Sequence, residues 1–313
     1  MRIYHHWRDL PEAARGATVA LGNFDGVHLG HAHVLRAARL AHPDAPLAVM
    51  TFEPHPREIF RPDDPPFRLT LAPSRADALA AHGVEILYEM PFDAAFSQMA
   101  ADAFISEVLC RGVGARHLVS GPGFAFGYRR AGDTAFLGAR AEALGIGLTV
   151  VTPFIDAGGP ISSSRIRHLL RDGTPDRAAE MLGRPWAVRG SVLRGDARGR
   201  SLGFPTANLA LGRQLEPARG VYAVIVGLPG GGRLPGVANI GRRPTVDSAS
   251  ESRLEVHLFD FAGDLYGQEL EVALIAFQRP EHRFSGLDAL RAQITVDAAE
   301  ARRRLDLAAP RSA

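Results

Sequence analysis

The 313-residue chain contains no lysine, so all 36 of its basic residues are arginines. This excludes a P-loop that holds phosphate through a lysine, and it excludes a lysine Schiff base. Any phosphate that the protein binds must therefore be held by arginine, histidine, backbone N–H groups or a metal ion. A biased genome composition accounts for the absence itself, but the consequence for phosphate binding is the same.

Cysteine and long apolar runs are also scarce. Cys110 is the only cysteine, which excludes an intrachain disulfide and a zinc site built on several thiolates. No apolar run reaches the roughly 18 residues of a membrane span, and the N-terminus lacks the apolar core of a signal peptide. Hydrophobic residues make up 46% and the net charge is +2. We therefore expect a cytoplasmic globular enzyme with neither a membrane nor a nucleic acid as its partner.

The first half of the chain alternates strand-like apolar runs with helical patterns, which is typical of a parallel sheet covered by helices on both faces. The predicted strands are 17–22, 46–52, 84–89, 116–120 and 147–152, and the predicted helices are 30–41, 74–82, 100–111 and 134–145. Two short helices follow within 162–183, the first capped by Ser162 or Ser163 and the second ending at Gly183. Ligands in such folds bind at the carboxyl ends of the strands.

The second half has a different pattern, with short strand-like runs separated by turns rich in glycine and proline. The predicted strands are 186–194, 220–228, 234–240, 253–261 and 268–277. This spacing predicts a small antiparallel β-barrel. A helix is predicted over 285–305, with one apolar face made by Leu287, Leu290, Ile294, Ala298, Ala301 and Leu305. We place the boundary so that the two domains are 1–183 and 184–313.

The first predicted strand runs into a glycine-containing turn, residues 22–31 (GNFDGVHLGH), and then into a helix. Gly26 and Gly30 let the backbone approach a phosphate closely, and a helix N-terminus favours anions. His28 and His31 are three residues apart, so they face the same side of the first helical turn. An isolated pair of this kind is more often two surface histidines. Here the strand, turn and helix favour donation to triphosphate oxygens.

Residues 22–31 resemble the GxFDGxHxGH motif of the HxGH nucleotidyltransferases, specifically of the bacterial bifunctional riboflavin kinase/FAD synthetases. Residues 51–56 (TFEPHP) and 161–167 (ISSSRIR) resemble two further segments of that family. The resemblance implies an α/β Rossmann-like HxGH nucleotidyltransferase domain with His28 and His31 as catalytic residues. It also implies nucleotide binding by Asn23, Phe24, Asp25, Gly26, Gly30, Ser163, Ser164 and Arg165. Taken alone, the serines would be read as helix caps.

One segment departs from the family pattern, because Gly123 stands where the family has aspartate or asparagine. Glycine offers a backbone N–H but no side-chain donor. This departure leaves an alternative open, in which only the kinase works and the N-terminal domain is impaired or regulatory. Phe124 and Phe126 follow this position. Such residues are more often part of a core, but they are also candidates for flavin binding.

Residues 195–208 (GDARGRSLGFPTAN) resemble the riboflavin kinase signature. A turn followed by a strand would explain Gly203 and Pro205, but not the whole string. The resemblance implies a small β-barrel kinase domain with a C-terminal helix. It implies nucleotide binding by Gly199, Arg200, Gly203, Pro205, Thr206 and Asn208. The oxygens of Thr206 and Asn208 are also suited to Mg²⁺ bound to ATP phosphates.

The run 254–258 (LEVHL) alternates, so Glu255 and His257 share one face of a strand. Glu255 taken alone would be a solvent-facing carboxylate. The resemblance implies that it is the general base for the terminal ribityl hydroxyl of riboflavin. We assign His257 a structural role, and Arg279 is a further flavin-binding candidate.

The resemblance thus implies two successive reactions: riboflavin and ATP give FMN, and FMN and ATP give FAD. ATP, riboflavin and FMN are the expected partners, Mg²⁺ is the expected cofactor with ATP as co-substrate, and the flavins are substrates and products. A second alternative, from a different class, is a non-catalytic flavin carrier. Thr206, Asn208 and Glu255 argue against it, since binding alone needs neither a base nor metal ligands.

Overall fold

The computed structural model describes residues 1–194, 203–242 and 252–308. The chain divides into two compact units. The first comprises Met1–Asp64 and Thr70–Ser162, and the second comprises Pro65–Leu69 together with the chain from Ser163 onward. Across the described residues, no helix is both long enough and apolar enough to cross a bilayer.

The first unit is built on a parallel sheet that contains six strands among the described residues. The strands are β1 (Arg2–Tyr4), β2 (Thr18–Leu21), β3 (Leu47–Glu53), β4 (Ile86–Pro91), β5 (His117–Ser120) and β6 (Gly147–Val150). Their order is β1-β4-β3-β2-β5-β6 and each neighbouring pair is parallel. The predicted Rossmann-like fold is therefore confirmed. Strand β2 lies between β3 and β5, so the turn after β2 emerges at the middle of the carboxyl edge.

Helices and short segments connect these strands. They are α1 (Leu29–Ala41), α2 (Pro56–Phe60), α3 (Ala72–Ala81), α4 (Ala94–Ser97), α5 (Ala101–Ala103), a π-helical segment (Phe104–Gly112), α6 (Thr134–Ala143), and the hairpin β7 (Ile155–Asp156) and β8 (Gly159–Pro160). Two separate cores show that both faces of the sheet are covered. Val19 and Leu21 of β2 belong to one core, whereas Ala20 belongs to the other.

The sequence pattern missed the shortest of these elements. Strand β1 and helices α2 and α4 span only three to five residues, too few for a periodicity to be recognised. The predicted helix over 100–111 is present, but most of it is π-helical. A hydrophobic pattern does not distinguish this form from an α-helix.

The second unit opens with α7 (Ser163–Arg171) and α8 (Pro175–Leu182). As predicted, α8 ends at Gly183, which adopts the left-handed conformation with φ of 74°. The strands that follow are β9 (Trp186–Ser191), β10 (Ala207–Ala210), β11 (Gly220–Gly227), β12 (Arg233–Arg242), β13 (Ser252–Leu258) and β14 (Glu269–Pro280). Their order is β10-β13-β12-β11-β14-β9, and all neighbours are antiparallel.

A bridge between Leu193 and Asn208 brings the end of β9 to β10, so the sheet is a nearly closed barrel. This confirms the predicted architecture. Strand β10 was not predicted, because its sequence (ANLA) has only four residues and no strand-forming bias. The segment Pro65–Leu69 also folds with this unit: the Trp186 indole donates to the Leu69 carbonyl at 2.8 Å.

The C-terminal helix α9 (Leu287–Ala308) contributes residues of its second half to a buried cluster on the barrel. Ala301 and Leu305 share a buried cluster with Val221, Ala223, Val237 and Phe259. The predicted apolar face was wrong at its start, since Leu287 is 69% exposed. The regular heptad-like spacing continues through the helix, but the first turns do not pack against the core.

Candidate active sites

The turn after β2 is a strained loop held by buried hydrogen bonds. Phe24 and Val27 adopt positive φ values of 51° and 43°, which are costly for residues with a side chain. Asp25 is 2% exposed and its carboxylate accepts the Thr70 N–H at 2.9 Å. The Thr70 hydroxyl in turn accepts the Gly26 N–H at 2.9 Å. The predicted residues Asp25 and Gly26 therefore fix the loop that leads into α1.

His28 and His31 form a reciprocal cap at the N-terminus of α1. The His28 Nδ1 atom accepts the His31 N–H at 3.3 Å, and the His31 Nδ1 atom accepts the His28 N–H at 3.2 Å. The two rings stack with their centroids 3.7 Å apart. Since each Nδ1 atom acts as an acceptor, each neutral ring carries its proton on Nε2. The cap thus fixes two parallel Nε2–H donors.

Gly30 lies against the first of these rings. A Cβ atom at this position would be 3.0 Å from His28 Cε1 and Nδ1 and 3.2 Å from the Ile161 carbonyl oxygen. The absence of a side chain therefore lets His28 occupy its place. This is a steric reason for the glycine in the HxGH pattern, in addition to the close approach of a phosphate.

The segment after β3 is anchored by a buried arginine. Arg75 of α3 is fully buried, and its Nη2 atom lies 2.8 Å from Glu53 Oε2 and 2.7 Å from Glu89 Oε1. Two residues after Glu53, His55 caps α2 by accepting the Arg57 N–H at 3.1 Å. Sequence reasoning missed Arg75, because an arginine in an alanine-rich helix is normally a surface residue.

The other predicted residues of the adenylylation site have the following places. Ser163, Ser164 and Arg165 form the first turn of α7, and they belong to the second unit. Phe126 is a core residue at 7% exposure, and Phe124 stacks on it at 5.4 Å. Among the described residues, no atom beyond its two chain neighbours lies within 4 Å of a Cβ atom built on Gly123, so no packing seen in this part of the chain explains that glycine.

The barrel unit carries a cavity of about 720 Å³, a size typical of a small-molecule site. It is lined by Val192, Arg194, Pro205, Thr206, Ala207, Asn208, Leu258 and the 261–266 loop. Three predicted nucleotide-binding residues, Pro205, Thr206 and Asn208, are thus brought together. Gly203 lies two residues before them in a turn, and Gly199 and Arg200 lie outside the described residues.

Glu255 lies beside this cavity, in a row of polar residues that crosses the barrel. On β13 it is directly opposite Asn208 of β10 on one side and Asn239 of β12 on the other. Residues directly opposite one another in antiparallel strands point to the same face. Glu255 is exposed, whereas Leu254 and Val256 are buried, as the alternation predicted. The carboxylate therefore lies between two amides, one of which lines the cavity.

Asn239 has a carboxylate partner of its own, because its Nδ2 atom donates to Glu281 Oε1 at 3.1 Å. The predicted flavin residue Arg279 makes a bidentate ion pair with Asp297 of α9, at 2.9 and 2.7 Å. Gln293 donates to the same carboxylate, and Arg279 Nη1 lies 2.9 Å from His282 Nδ1. The guanidinium of Arg279 thus ties the end of β14 to the helix.

The described residues contain no group of three or more His, Cys, Asp or Glu side chains arranged to hold a metal. Thr206 and Asn208 instead place a hydroxyl and an amide oxygen at the cavity wall. Mg²⁺ in phosphoryl-transfer enzymes takes few protein ligands and relies on substrate phosphates and water. These two oxygens fit such an ion.

Comparisons with known proteins bear on both units. Residues 10–165 match the family model of FAD synthetase, and residues 182–305 match that of riboflavin kinase. The bifunctional riboflavin kinase/FMN adenylyltransferase of Escherichia coli K12 is 41% identical over 313 residues, covering 99% of both chains. The chain belongs to this bifunctional family.

A second relative and a solved structure are similar to nearly the whole chain. The bifunctional riboflavin kinase/FMN adenylyltransferase of Bacillus subtilis 168 is 34% identical and covers 96% of both chains. A solved structure from Streptococcus pneumoniae, titled a macrolide-efflux protein, superposes with a TM-score of 0.85 at 32% identity, covering 96% of this chain and 98% of that one. The predicted membership of the riboflavin kinase/FAD synthetase family is confirmed.

Two residues of this family member were not found by sequence reasoning at all. Arg75 gave no signal, and Asn239 is recognised as a neighbour of the predicted base Glu255 only once the strand register is known. Only the pairing of β12 with β13 shows that residues 16 positions apart in the chain are direct neighbours. The sequence pattern alone does not give that register.

Proposed function

We propose that the protein phosphorylates riboflavin to FMN and adenylylates FMN to FAD, with ATP as the donor in both reactions. We assign the kinase to 184–313 and the adenylyltransferase to 1–183. The observation that carries the proposal is the placement of Glu255 directly opposite Asn208 at a nucleotide-sized cavity. Full-length likeness to bifunctional relatives favours two activities over a kinase alone or a flavin carrier. Because both reactions consume ATP, we place the enzyme in the cytoplasm.

The order of the strands supports an assignment of the sides from which the two substrates of the kinase reach Glu255. Asn208 lines the cavity, so ATP approaches Glu255 from the side of β10. In-line transfer requires the attacking oxygen and the leaving oxygen on opposite sides of the γ-phosphorus. The acceptor hydroxyl therefore approaches from the side of β12, where Asn239 and Glu281 lie.

In this arrangement the Glu255 carboxylate takes the proton from the terminal ribityl hydroxyl as that oxygen attacks the γ-phosphorus. The bond to the β-phosphate oxygen breaks, and ADP leaves. Thr206 and Asn208 would hold Mg²⁺, which supplies neutralisation of the phosphate charge when bound. Asn208 would thus contact both the metal and the base, and so set their separation.

In the adenylylation reaction an oxygen of the FMN phosphate attacks the α-phosphorus of ATP, and pyrophosphate leaves. The phosphate is already ionised at neutral pH, so no strong base is needed. The Nε2–H groups of His28 and His31, together with the N-terminus of α1, donate to the charge that builds on the phosphate oxygens. Ser163, Ser164 and Arg165 remain predicted phosphate contacts.

Chromatography of the reaction products tests the proposal. Purified protein is incubated with riboflavin, ATP and Mg²⁺, and separately with FMN, ATP and Mg²⁺. We expect FMN and then FAD in the first mixture, and FAD in the second. FMN in the first mixture with no FAD in either mixture would mean that only the kinase works. No FMN in the first mixture and no FAD in either would favour the flavin-carrier alternative.

A further inference from the structure

His257 lies on β13 two residues after Glu255, so both side chains point to the same face of the strand. Its ring reaches the segment that precedes β10. The His257 Nδ1 atom lies 2.9 Å from the Pro205 carbonyl oxygen. The ring also packs edge-on against Phe204, with the centroids 5.3 Å apart and the planes at 80°.

This contact requires a proton on the Nδ1 atom of the ring. A carbonyl oxygen can only accept a hydrogen bond, so His257 Nδ1 must carry a proton whether the ring is neutral or charged. Proline has no N–H, and its carbonyl is therefore the one backbone polar group that Pro205 can offer to a neighbour. The bond joins β13 to the segment in front of β10.

The position of that carbonyl determines the position of the next residue. The carbonyl of Pro205 and the N–H and Cα atoms of Thr206 belong to one planar peptide unit. A donor that holds the oxygen therefore orients the whole plane, and with it the Thr206 hydroxyl at the cavity wall. Immediately beyond, Ala207 is paired with Val256 and Asn208 with Glu255.

We propose that His257 is a positioning residue of the kinase site, which holds Thr206 at a fixed distance from Glu255 through the Pro205 carbonyl. The inference rests on the proposed kinase reaction. It assigns to one strand both the base, Glu255, and the donor that places the metal-binding hydroxyl. His257 touches neither substrate in this arrangement and acts only through the Pro205–Thr206 peptide.

Three variants separate the hydrogen bond from the ring. In His257→Asn, the side-chain Nδ2 is the same number of bonds from Cβ as the imidazole Nδ1, so the donor is kept. His257→Leu keeps an apolar side chain against Phe204 but has no donor. His257→Gln keeps a donor but places it one bond further out. Glu300→Gln, which changes an exposed arginine cluster on α9, is the control for an unrelated substitution in the same unit.

FMN formation is measured as a function of ATP, riboflavin and Mg²⁺ concentration, and FAD formation from supplied FMN is measured alongside. We expect His257→Leu to lower kcat for FMN formation about tenfold and to raise the Mg²⁺ concentration needed for half-maximal rate about tenfold. The KM for riboflavin should stay within about twofold. His257→Asn should recover most of the loss, and His257→Gln less of it. FAD formation should be the same in all variants.

Each other outcome contradicts the proposal in its own way. If wild-type protein forms FMN and His257→Leu matches it in kcat and Mg²⁺ dependence, the positioning role is wrong while the kinase function stands. If His257→Asn is as impaired as His257→Leu, ring packing rather than the hydrogen bond matters. If wild-type protein forms no FMN, the proposed function and the inference fail together. Should His257→Leu not fold, the comparison of Asn with Gln carries the same test.

Discussion

Substitution of Gly30 by alanine should slow FAD formation strongly while leaving FMN formation and the fold intact. The added Cβ atom would lie 3.0 Å from two atoms of the His28 ring and 3.2 Å from the Ile161 carbonyl oxygen, whereas ordinary contacts begin at 3.4 Å. The ring must therefore move by about 0.4 Å or more, because the carbonyl belongs to the backbone and yields less readily.

The His28 ring cannot make this movement without losing a contact. It accepts the His31 N–H at 3.3 Å and stacks on the His31 ring at 3.7 Å. In the proposed reaction, a displacement of this kind would turn the Nε2–H donor away from the phosphate, and small misplacements of catalytic groups cost up to about 100-fold in rate. Overpacking destabilises by about 1–3 kcal/mol. Replacing a glycine within a helix returns about 1 kcal/mol of that, so the net loss of folding free energy is about 0–2 kcal/mol, less than the stability of a typical domain.

The assay is the rate of FAD formation from FMN and ATP, measured with the melting temperature of each variant. Gly138→Ala is the matched control, since its Cβ atom in α6 would meet only Leu148 Cδ2, at 3.4 Å. We expect Gly30→Ala to lose between about tenfold and 100-fold of the FAD rate, and Gly138→Ala to lose none. A Gly30→Ala enzyme within twofold of wild type would refute the argument that the glycine holds the His28 ring in place.

Three further predictions follow from the same structure. Glu255→Gln should abolish FMN formation and leave FAD formation from supplied FMN unchanged; loss of both would contradict separate sites, and product chromatography distinguishes the two results. His28→Ala combined with His31→Ala should remove FAD formation only, and an unchanged FAD yield would exclude the assigned role. Burial, and then the charge of His42, lowers the pKa of His117, which bonds Thr149 at 2.8 Å. The contribution of His117 to the free energy of unfolding is fully present above the unfolded pKa of about 6.5. It is lost as the pH falls through the lower pKa of the folded state, because the unfolded chain binds the proton more readily. His117→Gln should flatten the change in denaturant midpoint between about pH 5 and 7; an equal slope in both proteins would assign it to other groups.

Much of the fold followed from the amino-acid pattern alone. Apolar runs marked five of the strands of the parallel sheet. A 3.6-residue periodicity of apolar residues marked the long helices between them. Gly183 marked the end of α8 because the left-handed conformation that glycine favours is a local preference. The strong motifs likewise gave His28, His31, Thr206, Asn208 and Glu255 as candidates before any geometry was known.

The sequence by itself determined the elements and the chemistry of the residues, because these depend on local conformation and on side-chain type. Only the tertiary structure decided which residues are neighbours. The pairing of β13 with both β10 and β12 placed Glu255 between two amides, and the packing of α3 buried Arg75 against two carboxylates. Strand register and helix packing are fixed by contacts between distant parts of the chain. The free energy of those contacts cannot be read from a local sequence pattern.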